Sequence, residues 1–252
     1  MDLHLKDKVA LVTGGSRGLG RAIAMSLAAE GAKVGVNYRE SADKAQAVVD
    51  EIARAGGSAA TVRGDVSSEA DVVAMFDAME SVFGPVEILI NNAAYCPVVS
   101  TVEISEKEWS RAFQVNMTGT FLCSREMIRR LLALGRTGRI VNVSSQAAFR
   151  GSESGKSAYD ASKGAIVAFT VSLAREMAKK GIAVNGVAPG LMYTEMLKPF
   201  VDANPEKFSA RLPIGRLGLP EEVAGVATFL ASDRAGFMTG ATVDVSGGML
   251  MR

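Results

Sequence analysis

Short runs of β-branched residues alternate with longer helical stretches along almost the whole chain, and that alternation admits few folds besides a parallel sheet with helices on both faces. The predicted strands are Val9 to Thr13, Lys33 to Tyr38, Ala59 to Arg63, Val86 to Asn91, Arg139 to Ser145, Ile182 to Val187 and Thr242 to Val245. Each is near-continuously apolar, as expected of parallel strands covered on both sides. Helices are predicted over Arg21 to Glu30, Ala42 to Ala55, Glu69 to Phe83, Trp109 to Leu134, Tyr159 to Lys179 and Pro220 to Leu230. The expected fold class is α/β, a doubly wound parallel sheet of about seven strands forming a single domain over residues 1–252. Only Thr194 to Leu217, with Pro199, Pro205 and Pro213 among Phe200 and Phe208, breaks the alternation. It reads as a helical excursion off the sheet edge that covers a binding site.

Composition removes several function classes. A hydrophobic fraction of 48% with 26 glycines suits a packed core with many tight turns and excludes a disordered polymer. The net charge of +1 provides no field to draw the chain onto nucleic acid or an anionic membrane. Cys96 and Cys123 stand far apart and His4 is the only histidine, so a disulfide scaffold, a metal site and a histidine-activated nucleophile are all disfavoured. The start MDLHLKDK lacks the apolar run of a signal peptide, and no stretch stays apolar for the ~20 residues of a membrane span. A cytoplasmic location is expected, which leaves the glycosylation-like triplets at Asn116 and Asn142 without meaning as sugar sites.

Directly after the first predicted strand comes Thr13-Gly14-Gly15-Ser16-Arg17-Gly18-Leu19-Gly20, opening a helix. A strand-to-helix turn aims unpaired N–H groups and the positive helix end at one point, where a pyrophosphate can sit if no side chain blocks it. Glycines at 14, 18 and 20 remove those side chains, and the lack of a Gly-Lys-Ser/Thr ending disfavours a triphosphatase loop. A carboxylate ending the second strand would mark NAD. Tyr38 stands there instead, followed by Arg39, and Arg17 lies in the glycine loop. Either arginine alone could be a solvated loop charge; together they favour the extra phosphate of NADP over NAD.

Tyr159-Asp160-Ala161-Ser162-Lys163 places a phenol and an ammonium four residues apart on one helix face, after a strand ending in Val143-Ser144-Ser145. A free tyrosine has a pKa of about 10, so ionising it at neutrality takes roughly 3 units, or about 4 kcal/mol. A neighbouring cation supplies only ~1–3 units, so Lys163 needs help, which the positive ring of an oxidised nicotinamide would add. In the reducing direction the phenol donates its proton to the developing alkoxide. Ser145 can fix the carbonyl oxygen near the phenol, a positioning role because no histidine activates it.

This ordered set resembles the short-chain dehydrogenase/reductase family over nearly the whole chain. The matches are the TGxxxGxG loop, Asp65-Val66, Asn91-Asn92-Ala93, Asn116, Ser145, Tyr159 with Lys163, and Pro189-Gly190. The resemblance implies a Rossmann-type sheet in which Asp65 and Val66 meet the adenine, Asn92 and Ala93 line the cofactor groove, and Met192 and Thr194 face the nicotinamide amide. Lys163 would also hold the nicotinamide ribose. Asn116 would complete the catalytic set by binding a water that relays protons to the lysine; a structural asparagine that bends its helix is the alternative. Two departures stand out. Ala94 replaces the glycine that usually ends the NNAG motif, and the interval from Ser145 to Tyr159 is one residue longer than the commonest spacing, which leaves Ser144 as a rival for the serine role.

Within the family the chain is most similar to 3-oxoacyl-acyl-carrier-protein reductases and to bacterial glucose and sugar-alcohol dehydrogenases. Arg136 and Lys180 match basic positions that grip an acidic carrier protein, although a helix-end charge explains them equally. The stretch from Gly236 to Gly248 resembles the family's subunit contact region and implies a homotetramer. Cys96, Gln146, Phe149, Met192 and Phe200 are expected to line a partly apolar substrate pocket. The competing functions are a nucleotide-binding scaffold without chemistry, disfavoured by the complete catalytic set, and a nucleotide-sugar isomerase or dehydratase, disfavoured by the short excursion.

Overall fold

The computed structural model describes residues 2–251 apart from 154 and 195–197 and, at 199, 200, 205 and 207, the backbone alone. Strands β1 (Val9–Val12), β2 (Lys33–Tyr38), β3 (Ser58–Arg63), β4 (Ile88–Asn91), β5 (Gly138–Val143), β6 (Ile182–Pro189) and β7 (Thr242–Val245) form one parallel sheet. Their spatial order is β3-β2-β1-β4-β5-β6-β7. β1 lies between β2, where Leu11 pairs with Gly35, and β4, where Ala10 pairs with Ile88. The chain order reverses there, so the crevice beyond the carboxyl ends of β1 and β4 is the place where such sheets bind ligands.

Period-two alternation divides each inner strand between two cores. From β1, Ala10 and Val12 join a cluster with Ile23, Leu27, Val48, Ile52, Val223 and Leu230. These belong to helices α1 (Gly18–Ala29), α2 (Ala42–Arg54) and α10 (Pro220–Leu230). Val9 and Leu11 point the other way, into a cluster with Phe76, Met79, Met127, Leu131 and Met177. Those come from α3 (Glu69–Val82), α5 (Gly119–Ala133) and α7 (Ser157–Met177). The expectation that every strand is covered on both faces fails at the edges. Val62 is the one buried residue of β3, and all four residues of β7 are half-buried, because an edge strand has a sheet neighbour on one side only.

The predicted helix from Trp109 to Leu134 is resolved into α4 (Glu106–Phe113), a π-helical turn over Gln114–Thr118, and α5. A single wide turn inside a helix is a common mark of a functional site. The Thr194 to Leu217 excursion contains α8 (Lys198–Ala203) and α9 (Pro205–Ser209), its residues 195–197 lying outside the described residues. Val201 and Leu212 are buried, the Tyr193 hydroxyl donates to Asp202 at 2.8 Å, and Ile214 N–H donates to Gly247 O at 3.2 Å. These contacts seat the excursion beside the carboxyl end of β7. Among the described residues no helix is long and apolar enough to cross a membrane.

Candidate active site

Two adjoining clefts open at the carboxyl edge of the sheet, with Thr194 in the walls of both. The first, of about 460 Å³, is built on the loop after β1. Thr13 knots the loop to β4: its hydroxyl donates to Ile90 O (3.2 Å) and accepts from the N–H groups of Asn92 (2.9 Å) and Ala93 (3.0 Å). Asn92 returns its amide N–H to Thr13 O at 2.9 Å and Gly14 O at 3.2 Å. On the other side Asn37, buried in β2, accepts from Gly14 N–H at 3.0 Å and donates to Val62 O and Gly64 O at 3.1 Å each. Asn37 was not foreseen as a site residue; the signal was an amide inside the apolar run Val34-Gly35-Val36-Asn37.

The loop fits a pyrophosphate. Ser68 and Ser105 cap α3 and α4 with their side chains, whereas Arg17 at the start of α1 gives no side-chain cap and the first turn carries no acid. The amides of α1 are therefore left for an anion. Gly14 and Gly18 have φ of +61° and +52°, a left-handed backbone that favours glycine. A Cβ at Gly18 would meet nothing within 4 Å, so it would project into the open cradle. Gly20 serves packing, because a Cβ there would collide with Gly14 O and lie 2.5 Å from Asn92 Nδ2. Gly14, Ser16, Arg17, Gly18, Leu19, Gly20, Arg39, Asp65, Val66, Asn92, Ala93 and Thr194 all line this first cleft.

At its far end Asp65 accepts from Ser67 (N–H 2.9 Å, hydroxyl 2.6 Å) and from Arg111 at 3.0 Å. Partial burial alone would raise the Asp65 pKa, but the Ser67 and Arg111 hydrogen bonds outweigh it and hold the carboxyl at about 2. Arg39, half-exposed, pairs with Glu40 at 2.7 Å and approaches Asp65 at 3.6 Å. Glu40 also lines the cleft, so the acid missing at Tyr38 appears two residues later as a partner of Arg39. Ala94 has no positive φ and is exposed at the lip, so its extra methyl is accommodated without strain.

The second cleft, of about 390 Å³, contains Ser145, Tyr159, Gly190 and Met192. Ser144 is buried and donates to Lys163 O at 2.9 Å, which fastens β5 to α7. Ser145 faces the cleft, accepts from Ala147 N–H at 3.1 Å and stands beside the Tyr159 phenol, whose ionised form it favours. Of the two rival serines, only Ser145 lines the cleft. The short helix α6 (Ala147–Arg150) and left-handed Gly151 and Gly155 take up the longer interval before Tyr159. Pro189 ends β6 and accepts from Gln146 N–H at 2.9 Å. A Cβ at Gly190 would lie 2.6 Å from Ser246 Cα, so glycine lets the β6 exit pass the β7 exit closely.

Lys163, expected to be insufficient alone for the phenol, is anchored to the sheet. Lys163 is 2% exposed, its Nζ donates to Val143 O at 2.7 Å, and it stands 5.6 Å from the Tyr159 ring centroid. Burial lowers its own pKa to about 8. Burial likewise pushes the Tyr159 phenol well above its usual value, nearby Cys96 adds to this, and only the Ser145 hydrogen bond opposes it. Asn116 sits in the π turn and is fully hydrogen-bonded through its amide nitrogen. Its Oδ1 accepts from Tyr95 N–H (2.7 Å), and its Nδ2 donates to Tyr95 O (3.0 Å) and Ser162 Oγ (2.8 Å). The side-chain amide clamps the Tyr95 loop and α7 to the π turn.

Beneath the clefts runs a buried polar chain without a sequence motif of its own. Asn91 donates to Ser124 (3.0 Å) and Asn142 (2.8 Å), and Asn142 donates to Thr170 at 2.9 Å, linking β4, β5, α5 and α7. Of the expected pocket residues, Cys96, Gln146 and Met192 line the second cleft and Phe149 does not; the Phe200 side chain lies outside the described residues. The pocket is more polar than expected, with Arg150, Glu153, Lys156 and Arg211 in its wall. Arg136, on the loop before β5, and Lys180, at the end of the 3-10 turn Ala178–Lys180 before β6, lie at the opposite edge of the sheet and border neither cleft.

Comparison with known proteins agrees with this architecture. Residues 14–250 match a family model described as enoyl-(acyl carrier protein) reductase. A 3-oxoacyl-[acyl-carrier-protein] reductase of Synechocystis sp. is 39% identical over 248 residues, 98% of each chain. A short-chain type dehydrogenase/reductase from Mycobacterium marinum superposes with a TM-score of 0.93 at 34% identity, covering 100% of this chain and 98% of the other. An Agrobacterium tumefaciens protein described as a 2-deoxy-D-gluconate 3-dehydrogenase, crystallised with NADP, gives 0.89 at 36% identity over 100% and 99% of the two chains.

Proposed function

The chain belongs to the short-chain dehydrogenase/reductase family, oxidoreductases acting on CH–OH groups, and from that premise we propose an NADP-linked carbonyl reductase or alcohol dehydrogenase whose proton donor is Tyr159. The observation that carries the reading is the junction of the two clefts: an uncapped, glycine-lined helix start in one, and Ser145 and Tyr159 side by side in the wall of the other. When bound in the first cleft, a nicotinamide dinucleotide supplies or accepts the hydride. The phosphate loop and Asn92 would hold its pyrophosphate, and Arg17 and Arg39 the extra phosphate that distinguishes NADP.

The chain's own residues handle the proton. With its pKa raised, the phenol is protonated at neutral pH and donates to the carbonyl oxygen as that oxygen gains charge. Ser145 holds the same oxygen against the phenol. Lys163 keeps two N–H groups beyond its bond to Val143 O and acts on the cofactor side, while Asn116 positions α7 through Ser162. The whole chain works as one dinucleotide-binding and catalytic domain, with residues 194–217 covering the substrate.

The first substrate reading is a 3-oxoacyl group on acyl carrier protein, supported by relatives so named. The second, a sugar or polyol, is favoured by the polar wall of the second cleft. A homotetramer fits the exposed apolar side chains of Phe121, Val171 and Phe237, and we place the protein in the cytoplasm. Replacing Tyr159 by Phe tests the core of the reading. NADPH binding, followed by fluorescence, stays near wild type while turnover falls by about 10²–10⁴-fold; full retained activity would sink it.

A further inference from the structure

We propose that the second cleft takes a substrate bearing a carboxylate, which Arg150 and Arg211 hold while Gln146 accepts a hydrogen bond from a hydroxyl on the carbon chain. This rests on the reading of that cleft as the carbonyl site, names its substrate class as a hydroxylated oxo acid, and so takes the polar-substrate reading over the acyl-carrier one.

The charge pattern is the first ground. The cleft wall holds Arg150, Lys156 and Arg211 against one acid, Glu153, in a chain whose net charge is only +1. Lys156 is partly compensated by Asp160, whose carboxyl it helps to keep ionised. Arg150 and Arg211 have no carboxylate partner among the described residues, whereas Arg21, Arg111, Arg130 and Arg216 all do. Two uncompensated guanidiniums in one concavity form a receptor for a planar anion, because a guanidinium presents paired N–H donors that match a carboxylate.

Geometry is the second ground. Arg150 Nη1 donates to Met249 O at 3.1 Å, which fixes the side chain and leaves its remaining donors free for a ligand. Gln146 and Arg150 are four residues apart at the two ends of the single turn α6, so they project to the same side. Both line the cleft, as does Ser145 just before them. Gln146 Oε1 is buried and has no hydrogen-bond partner among the described residues, an acceptor that a ligand donor would satisfy. Reading along α6, the wall presents a carbonyl-positioning hydroxyl, then an acceptor, then a cation. The rise from Ser145 to Arg150 is on the order of 8 Å, which limits the chain between carbonyl and carboxylate to about six bonds. The phosphate of a long carrier arm lies beyond that reach.

The test compares four- to seven-carbon oxo acids, with and without hydroxyls, against their methyl esters in NADPH oxidation by the full-length protein. The expected result is a kcat/KM about 30-fold or more higher for the acid than for its ester. Arg150→Gln and Arg211→Gln each raise KM for the acid about tenfold, leave kcat nearly unchanged and leave the ester unaffected, and Arg211→Lys recovers part of the loss. Gln146→Leu removes the preference for hydroxylated acids over plain ones. Equal turnover of acid and ester by the wild type overturns the proposal while leaving the reductase reading intact. So does a preference for phosphorylated pantetheine thioesters that depends on Arg150. Normal NADPH binding with no turnover of any carbonyl compound would instead defeat the reductase reading and this one with it.

Discussion

Lys163 Nζ donates to the main-chain carbonyl of Val143 at 2.7 Å, which anchors the buried ammonium to the last residue of β5 and leaves it 5.6 Å from the centre of the Tyr159 ring. The lysine is thus a fixture of the sheet edge before it is a partner of the phenol. Burial depresses its pKa to about 8, so the folded chain binds this proton less tightly than the unfolded chain does.

Between the folded value of about 8 and the ordinary 10.5, the unfolded state holds more protons, and stability rises with pH. Urea unfolding of the wild type should gain about 2 kcal/mol between pH 8 and pH 10 from this group; the buried Cys123 thiol and the Tyr159 phenol, both held above their ordinary values, oppose it in the same window, so the gain is read as the difference between wild type and Lys163→Met. Lys163→Met should show no such gain and should be at least as stable as the wild type at pH 7, while losing activity. A variant that is less stable at pH 7 and keeps the rising limb contradicts the assignment.

Burial holds the Tyr159 phenol well above its usual value, so kcat/KM in the reducing direction should show no fall from this group up to pH 10. Ser145→Ala should keep that flat profile while its plateau drops by about 10- to 100-fold through lost positioning of the carbonyl oxygen. The measurement is a pH–rate profile of both proteins from pH 6 to 10. A variant with wild-type rates throughout would mean that Ser145 does not position the substrate.

Gly18 and Gly20 separate binding from packing. Gly18→Ala places its methyl in open space at a left-handed φ of +52°, so the chain should fold with a loss of about 1 kcal/mol yet bind NADPH poorly. Gly20→Ala drives a methyl into Gly14 O and should damage folding and binding together. Thermal unfolding and a dinucleotide titration on both variants check the contrast.

Arg39 stands between two carboxylates, Glu40 at 2.7 Å and Asp65 at 3.6 Å. Arg39→Ala should lower kcat/KM for NADPH about 10- to 100-fold and leave NADH almost unchanged. Glu40→Gln frees the guanidinium and should sharpen the preference for NADPH. If Arg39→Ala weakens both cofactors equally, Arg39 does not read the extra phosphate.

Much of the sheet was legible because a buried parallel strand must be apolar wherever it lies, so Lys33–Tyr38 falls where the residue pattern puts it, and even the half-buried Thr242–Val245 keeps enough of that pattern to do the same. That the glycine loop, Ser145 and Tyr159 lie at the clefts was legible because each follows directly on a strand or opens a helix. What escaped was set by distant partners. Nothing near Asn116 announces that its amide binds Tyr95 and Ser162, and nothing near Asn37 announces its bonds to Gly14 and Gly64. The charge of the second cleft was hidden likewise, since Arg150 and Arg211 are far apart in sequence and meet only once the excursion folds against the sheet.

The central position of β1 carries a kinetic consequence. Its partner on one side, β4, comes late: Thr13 bonds to Ile90, 77 residues further along, so the crevice cannot close until a long intervening segment has found its place. Loop closure of that length makes assembly slow compared with helix formation. A nascent chain that has not yet reached Ile88 exposes the bare edge of β1, and during that interval it is most open to capture by chaperones or by its own kind.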